Sequence, residues 1–218
     1  MLKHLPNALT LLRLILSPVV AWAVWQAYAI PSVAAADPDT YAYEISGAQA
    51  WAVAAAVLFV FAALTDLFDG MAARALRVDS RFGRMLDPIA DKALVGLPLI
   101  AISMVAHQAG WTSWPLIVLA TAIIVCRDVA ITLLRLVSSD GEGARVSALA
   151  KWKTAIELVA VGMPILLIAA PGFVRMLGLG ESFGAGPGVM FVWMGVLTLA
   201  AVLSAYTAFQ YLTAPRRY

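Results

Sequence analysis

Four aspartates, Asp66, Asp69, Asp87 and Asp91, lie in the run TDLFDGMAARALRVDSRFGRMLDPIADKAL. The first two are three residues apart and the last two four apart, so each pair projects from one face of a helix. Two such faces brought together make a cage of oxygen atoms. Hard divalent cations such as Mg2+ and Mn2+ take oxygen ligands, and two of them roughly 3.5–4 Å apart form a common clamp for displacement at phosphorus. Without cations, four converging carboxylates repel one another. The plainer alternative is a solvated turn whose acids only balance nearby arginines.

Residues around the acids fit a phosphate substrate. Gly70 follows Asp69 directly and Gly83 opens the next helical stretch; a missing side chain at either place lets a nucleotide or another backbone approach closely, although helix packing or capping would serve as well. Arg74 follows the first acid pair and carries a permanent charge suited to a pyrophosphate. Arg77, Arg81 and Arg84 are assigned to topology and lipid headgroups.

The elements that must hold these residues are membrane helices. Of the 218 residues, 62% are hydrophobic and 13% charged, and the mean hydropathy is +0.88. Soluble domains carry about 25% charged residues. Apolar stretches long enough to cross about 30 Å of hydrocarbon are expected at Ala8–Ile30, Ala48–Leu64, Pro88–His107, Trp114–Val137, Thr154–Ala170 and Val189–Leu212. The expected fold is an all-α integral membrane protein of six transmembrane helices, with residues 1–218 as a single domain. The first span is read as a retained helix, not a signal peptide.

Lys3, the Arg74–Lys92 and Arg135–Lys153 segments, Arg216 and Arg217 fall on one side, with only Arg175 opposite, so both termini are expected in the cytoplasm. The first outer loop, with Asp37, Asp39 and Glu44, agrees. Cys126 has no partner for a disulfide or a thiolate metal site. A net charge of +2 is explained by topology and phosphate binding without invoking nucleic acid.

Asp66, Asp69, Gly70, Ala73, Arg74, Gly83, Asp87 and Asp91 match the signature DxxDGxxARx8Gx3Dx3D without a substitution. In this the chain resembles the CDP-alcohol phosphatidyltransferase family. The resemblance implies six transmembrane helices, an active site facing the cytoplasm and a homodimer. It further implies that Asp66, Asp69 and Asp87 ligate two metal ions, that Asp91 completes the second site and is the general base, and that Asp69, Gly70, Ala73, Arg74, Ser80 and Gly83 form the donor side, toward CDP-diacylglycerol. The opening LPNALTLLRLILSP is similar to the family's PNxLTxxRxxxxP start, in which Asn7 and Thr10 reach the donor; Asn7 also reads as a helix cap.

The acceptor is addressed by a second charge group. Arg127 and Asp128 lie within the fourth span, Arg135 two turns on, and Lys151 and Lys153 at the entrance to the fifth. Intramembrane charge needs a partner. One reading is an ion pair of Arg127 with Asp128 or Asp91. The other is a pocket in which Arg127, Arg135, Lys151 and Lys153 bind an acceptor that carries its own phosphate, such as glycerol 3-phosphate, inositol phosphate or phosphatidylglycerol. FGRMLDPIADKALV, RDVAITLLR and SALAKWKTAIELVAVG are similar to bacterial phosphatidylglycerophosphate synthases, enzymes of the bacterial inner membrane, which points to glycerol 3-phosphate. Asp128 stands where those enzymes generally have Glu, and Glu157 where they have Gln. A CDP-diacylglycerol-dependent cardiolipin synthase is the second reading. A non-enzymatic transporter would share the apolar spans without requiring two acid pairs, Gly70 and Arg74.

Overall fold

The computed structural model describes residues 5–29, 38–76, 81–137, 148–178 and 187–213; among the side chains outside the described set are those of residues 66–76, 81–85, 135–137 and 148–151. Among the described residues there are six helices and no strand: α1 (Leu5–Ala29), α2 (Pro38–Leu76), α3 (Arg81–Gln108), α4 (Trp114–Val137), α5 (Ala148–Met176) and α6 (Pro187–Thr213). Five contain an expected span whole and α1 all but the last residue of its own, Ile30, which lies outside the described residues, and each is long and apolar enough to cross a membrane.

The helices close into a ring. Each packs against two neighbours in the order α1, α2, α5, α6, α4, α3 and back to α1, while α3 also touches α5 across the ring. Small residues and branched aliphatics fill the interior, among them Ala55, Ala62, Leu99, Ile102, Ile124, Ile165 and Leu197. Large apolar side chains such as Trp22, Phe61, Leu119, Val202 and Phe191 face outward. In water that surface would be a liability; against lipid it is the solvated side, while helices satisfy their own backbone groups.

Direction follows from paired residues. Thr10 and Arg13 of α1 meet Asp87 and Asp91 of α3, and Tyr28 at the far end of α1 packs edge-on against Trp111 just beyond α3, with ring centroids 5.7 Å apart. These two helices are parallel. Ser103 Oγ donates to Thr121 Oγ1 at 2.7 Å while Lys92 reaches Asp128, so α4 runs back along α3. Gly110, at φ 64°, permits that reversal: its N–H donates to His107 O and that of Trp111 to Ala106 O, satisfying carbonyls at the end of α3.

Two helix boundaries differ from the sequence expectation. Helix α2 begins at Pro38, so Asp39 and Glu44, expected in an outer loop, are on its opening turns. Proline suits a first helical position and acidic residues favour the positive helix start. At its other end α2 continues beyond Thr65, the limit of its apolar span, to Leu76. Those eleven extra residues add about 16 Å of helix and carry the first acid pair past the apolar segment.

Helices α2 and α5 approach closely at glycines. A Cβ at Gly172 would lie 2.6 Å from Val53 Cγ2, and one at Gly162 2.8 Å from the Phe59 ring. Small residues of this kind let membrane helices pack tightly, and a β-branched neighbour such as Val53 has little rotamer freedom with which to retreat. Gly172→Ala is expected to destabilise the purified protein by about 1–3 kcal/mol. Gly195→Ala, where a Cβ meets nothing within 4 Å, should be near neutral; reversible unfolding in mixed micelles compares the two.

Candidate active site

Helix α3 is the common wall of two charged groups. On its α1 side stand Asp87 and Asp91, one turn apart. Thr10 Oγ1 donates to Asp87 Oδ1, and Arg13 Nη1 donates to Asp91 Oδ1 at 2.6 Å. Arg13 is only 1% exposed whereas the Asp91 side chain is 39% exposed. The guanidinium thus fixes one edge of a carboxylate that solvent still reaches. Within α1, Ser17 Oγ donates to Arg13 O at 2.8 Å, one residue before Pro18 enters the helix. A proline lacks the N–H that would continue the ladder.

Successive residues on a helix are about 100° apart, so Lys92, next to Asp91, meets different neighbours. Its Nζ lies 2.9 Å from Asp128 Oδ2 on α4 and 3.9 Å from Glu157 Oε2 on α5. Asp128 Oδ1 also accepts from Lys153 Nζ at 2.6 Å and from Arg127 Nη1 at 2.8 Å, and Arg127 Nη2 donates to Thr207 Oγ1 on α6 at 3.0 Å. Lys153 Nζ is 2.7 Å from Glu157 Oε1 as an ion pair, yet both Glu157 oxygens are buried without hydrogen-bond geometry. One carboxylate therefore collects three cations, and a second lies behind them.

The groups meet at one end of the ring, formed by the starts of α1, α3 and α5 and the ends of α4 and α6. The last turns of α2 belong there too, because four residues between Leu76 and Arg81 span at most about 18 Å. Positions 66, 69, 70 and 73 fall along one face of α2, with 74 beside them. The side chains of Asp66, Asp69, Ala73 and Arg74, and the surroundings of Gly70 and Gly83, lie outside the described set, as do Ser80 and the side chains of Arg135 and Lys151. Asn7 begins the apolar part of α1, one turn before Thr10.

The structure thus brings Thr10 to Asp87 and joins Arg127 with Lys153 through Asp128. Of the two ion pairs considered for Arg127, the one with Asp128 is formed, and Asp91 is taken by Arg13. Arg13 and Lys92 received no site role from the sequence. Both had a usable signal: a charged residue inside an apolar span.

A family model for CDP-alcohol phosphatidyltransferases matches residues 3–205. The chain belongs to the CDP-alcohol phosphatidyltransferase family. A Cereibacter sphaeroides protein named CDP-diacylglycerol--glycerol-3-phosphate 3-phosphatidyltransferase is 34% identical over 74% of this chain and 63% of its own length. One of the same name from Pectobacterium atrosepticum is 32% identical over 98% of this chain and 95% of its own. A probable phosphatidylglycerophosphate synthase of Mycobacterium tuberculosis is 33% identical over 78% and 69%. The chain thus spans less than two thirds of the Cereibacter relative and nearly all of the Pectobacterium one.

CDP-alcohol phosphatidyltransferases use divalent metal ions. The donor set here is compatible: Asp87 and Asp91 offer hard carboxylate oxygens one turn apart, accessible and held in place from α1. For the Arg13–Asp91 pair, a double-mutant cycle of Arg13→Gln with Asp91→Asn, followed by unfolding in detergent, should give a coupling of about 1–3 kcal/mol. Strict additivity would show that the pair is not energetically joined.

Proposed function

We propose that this transferase moves the phosphatidyl group of CDP-diacylglycerol to glycerol 3-phosphate, giving phosphatidylglycerophosphate and CMP. The supporting observation is the shared wall: α3 presents an acid pair toward α1 and Lys92 toward a cation cluster, at one end of the ring. Donor activation and acceptor capture then occur side by side, on adjoining faces of one helix. The names of the relatives agree with this assignment.

In this reading Asp66, Asp69, Asp87 and Asp91 would hold two divalent ions, Mg2+ or Mn2+. When bound, the ions supply Lewis-acid charge against the phosphate oxygens and the departing CMP. Asn7, Thr10, Asp69, Gly70, Ala73, Arg74, Ser80 and Gly83 form the donor side, where Arg74 meets the diphosphate. Arg127, Arg135, Lys151 and Lys153 supply positive charge to the acceptor phosphate.

Asp91, oriented by Arg13, takes the proton of the acceptor hydroxyl as its oxygen attacks the β-phosphorus of the donor. A new P–O bond forms, the bond to the CMP oxygen breaks, and CMP leaves with the electron pair. Residues 1–218 act as one domain, multi-pass in a bacterial inner membrane and paired as a homodimer. The termini and the charged end face the cytoplasm, following the basic residues.

Product analysis by mass spectrometry with a panel of glycerol 3-phosphate, phosphatidylglycerol, inositol phosphate and serine tests the acceptor. Glycerol 3-phosphate should give the dominant lipid product. A dominant cardiolipin product would move the assignment to the second reading, and no CMP release with any acceptor would remove the transferase assignment. Asp91→Asn should retain donor binding while turnover falls by at least about a hundredfold, the scale of general-base loss; near-normal turnover would exclude that role. Asp87→Ala should weaken both metal and donor binding in titrations. Arg127→Ala should raise the acceptor KM more than the donor KM, and the reverse pattern would place Arg127 on the donor side.

A further inference from the structure

The cation cluster contains a residue whose presence hydrogen bonding does not explain. Glu157 is 0% exposed, and neither carboxylate oxygen has hydrogen-bond geometry with any partner. Burying such a group costs stability. What Glu157 does have is charge against charge: Lys153 at 2.7 Å and Lys92 at 3.9 Å. Asp128 already engages Lys153, Lys92 and Arg127 by itself. Glu157 is not needed to leave Lys153 partnered.

Counting charges among the described residues shows what it changes. Three cations, Lys92, Arg127 and Lys153, face two carboxylates, Asp128 and Glu157, leaving one positive charge in excess. Without Glu157 the excess would be two. The buried members, Lys153 at 2% and Glu157 at 0%, are at the back; Lys92, at 24%, is the accessible edge and follows Asp91 directly in α3. Charge removed at the back is felt at the edge, because screening is weak inside a low-dielectric bundle.

We propose that Glu157 is a specificity-determining residue that lowers the excess positive charge of the acceptor pocket by one, with Lys92 as the edge of that pocket. This rests on the assignment of a phosphate-bearing acceptor. The consequence concerns release as much as capture. The lipid product keeps the acceptor's phosphate, so a pocket with greater excess charge binds substrate and product alike more tightly and gains nothing in the chemical step. A moderated excess charge suits a phosphomonoester that must enter and, once attached to lipid, depart.

The test uses charge-counting variants in the full-length protein in detergent. Glu157→Gln keeps the shape and raises the excess by one, Lys92→Met lowers it by one, and the double variant restores the wild-type balance. Inorganic phosphate is the probe, read by its effect on thermal stability, beside the KM values for glycerol 3-phosphate and CDP-diacylglycerol. Phosphate affinity should rise about tenfold in Glu157→Gln, fall about tenfold in Lys92→Met and return to the wild-type value in the double variant. The acceptor KM should follow phosphate affinity, and the donor KM should stay within about twofold.

Unchanged or weaker phosphate binding by Glu157→Gln would overturn the proposal, as would a wild type that binds no phosphate. Should Glu157→Gln fail to fold, the charge-balanced double variant decides: wild-type phosphate affinity supports the proposal, and weakening like that of Lys92→Met overturns it. Absence of lipid product from wild type with glycerol 3-phosphate counts against the acceptor assignment, whereas the phosphate titrations judge the charge rule. The two failures are therefore distinguishable.

Discussion

A charge in a bilayer-spanning bundle must find a partner inside the bundle, and that requirement organises the charged end of this protein. Arg13 is enclosed on α1 and meets Asp91 on α3; Lys153 is enclosed on α5 and meets Asp128 on α4. Each pairing ties together helices distant in sequence, and each fixes a register. A slip of one residue along α3 would rotate Asp91 from α1 by about 100° and break both contacts to α1. The ion pairs need not add much net stability, since desolvation offsets Coulomb attraction. Their larger effect is to penalise every other alignment of α1, α3, α4 and α5.

The same constraint keeps the two charged groups apart. Adjacent residues on α3, Asp91 and Lys92, point to different helices and so into different electrostatic surroundings. Among the described residues Asp91 meets the Arg13 guanidinium, and it remains open to solvent. Lys92 joins a network with two carboxylates and two further cations. One helix can therefore keep an accessible carboxylate near a cation cluster without the two neutralising each other directly. Fixed ions of this kind need little reorganisation as charge develops during a transfer reaction.

Much of this was legible in the chain. Six spans follow from hydropathy because lipid imposes a length on each helix, and the placing of Asp87 and Asp91 one turn apart follows from helical spacing. The Arg127–Asp128 pair was open to sequence reasoning because an arginine inside an apolar span has few places to turn. The extension of α2 to Leu76 was less legible: hydropathy sees where hydrocarbon ends, whereas the helix continues on its own backbone hydrogen bonds. The roles of Arg13 and Lys92 were hidden because they depend on the parallel packing of α1 on α3 and on which face of α3 meets α5. Those are facts of the ring order, which no local spacing encodes.

Glu157 shows why ring order matters for function. In sequence it is a lone acid one turn after Lys153, an i,i+4 pair of the kind that often decorates a helix surface and is worth a few tenths of a kcal/mol. Placed by α5 across the ring from α3, it is also within reach of Lys92, and it becomes a buried counter-charge behind that partly exposed lysine. A surface glutamate would be screened by water and salt. An enclosed one acts over several ångströms on whatever anion approaches Lys92. The same residue type at the same spacing thus changes from a helix ornament to a control on charge because the fold removes it from solvent.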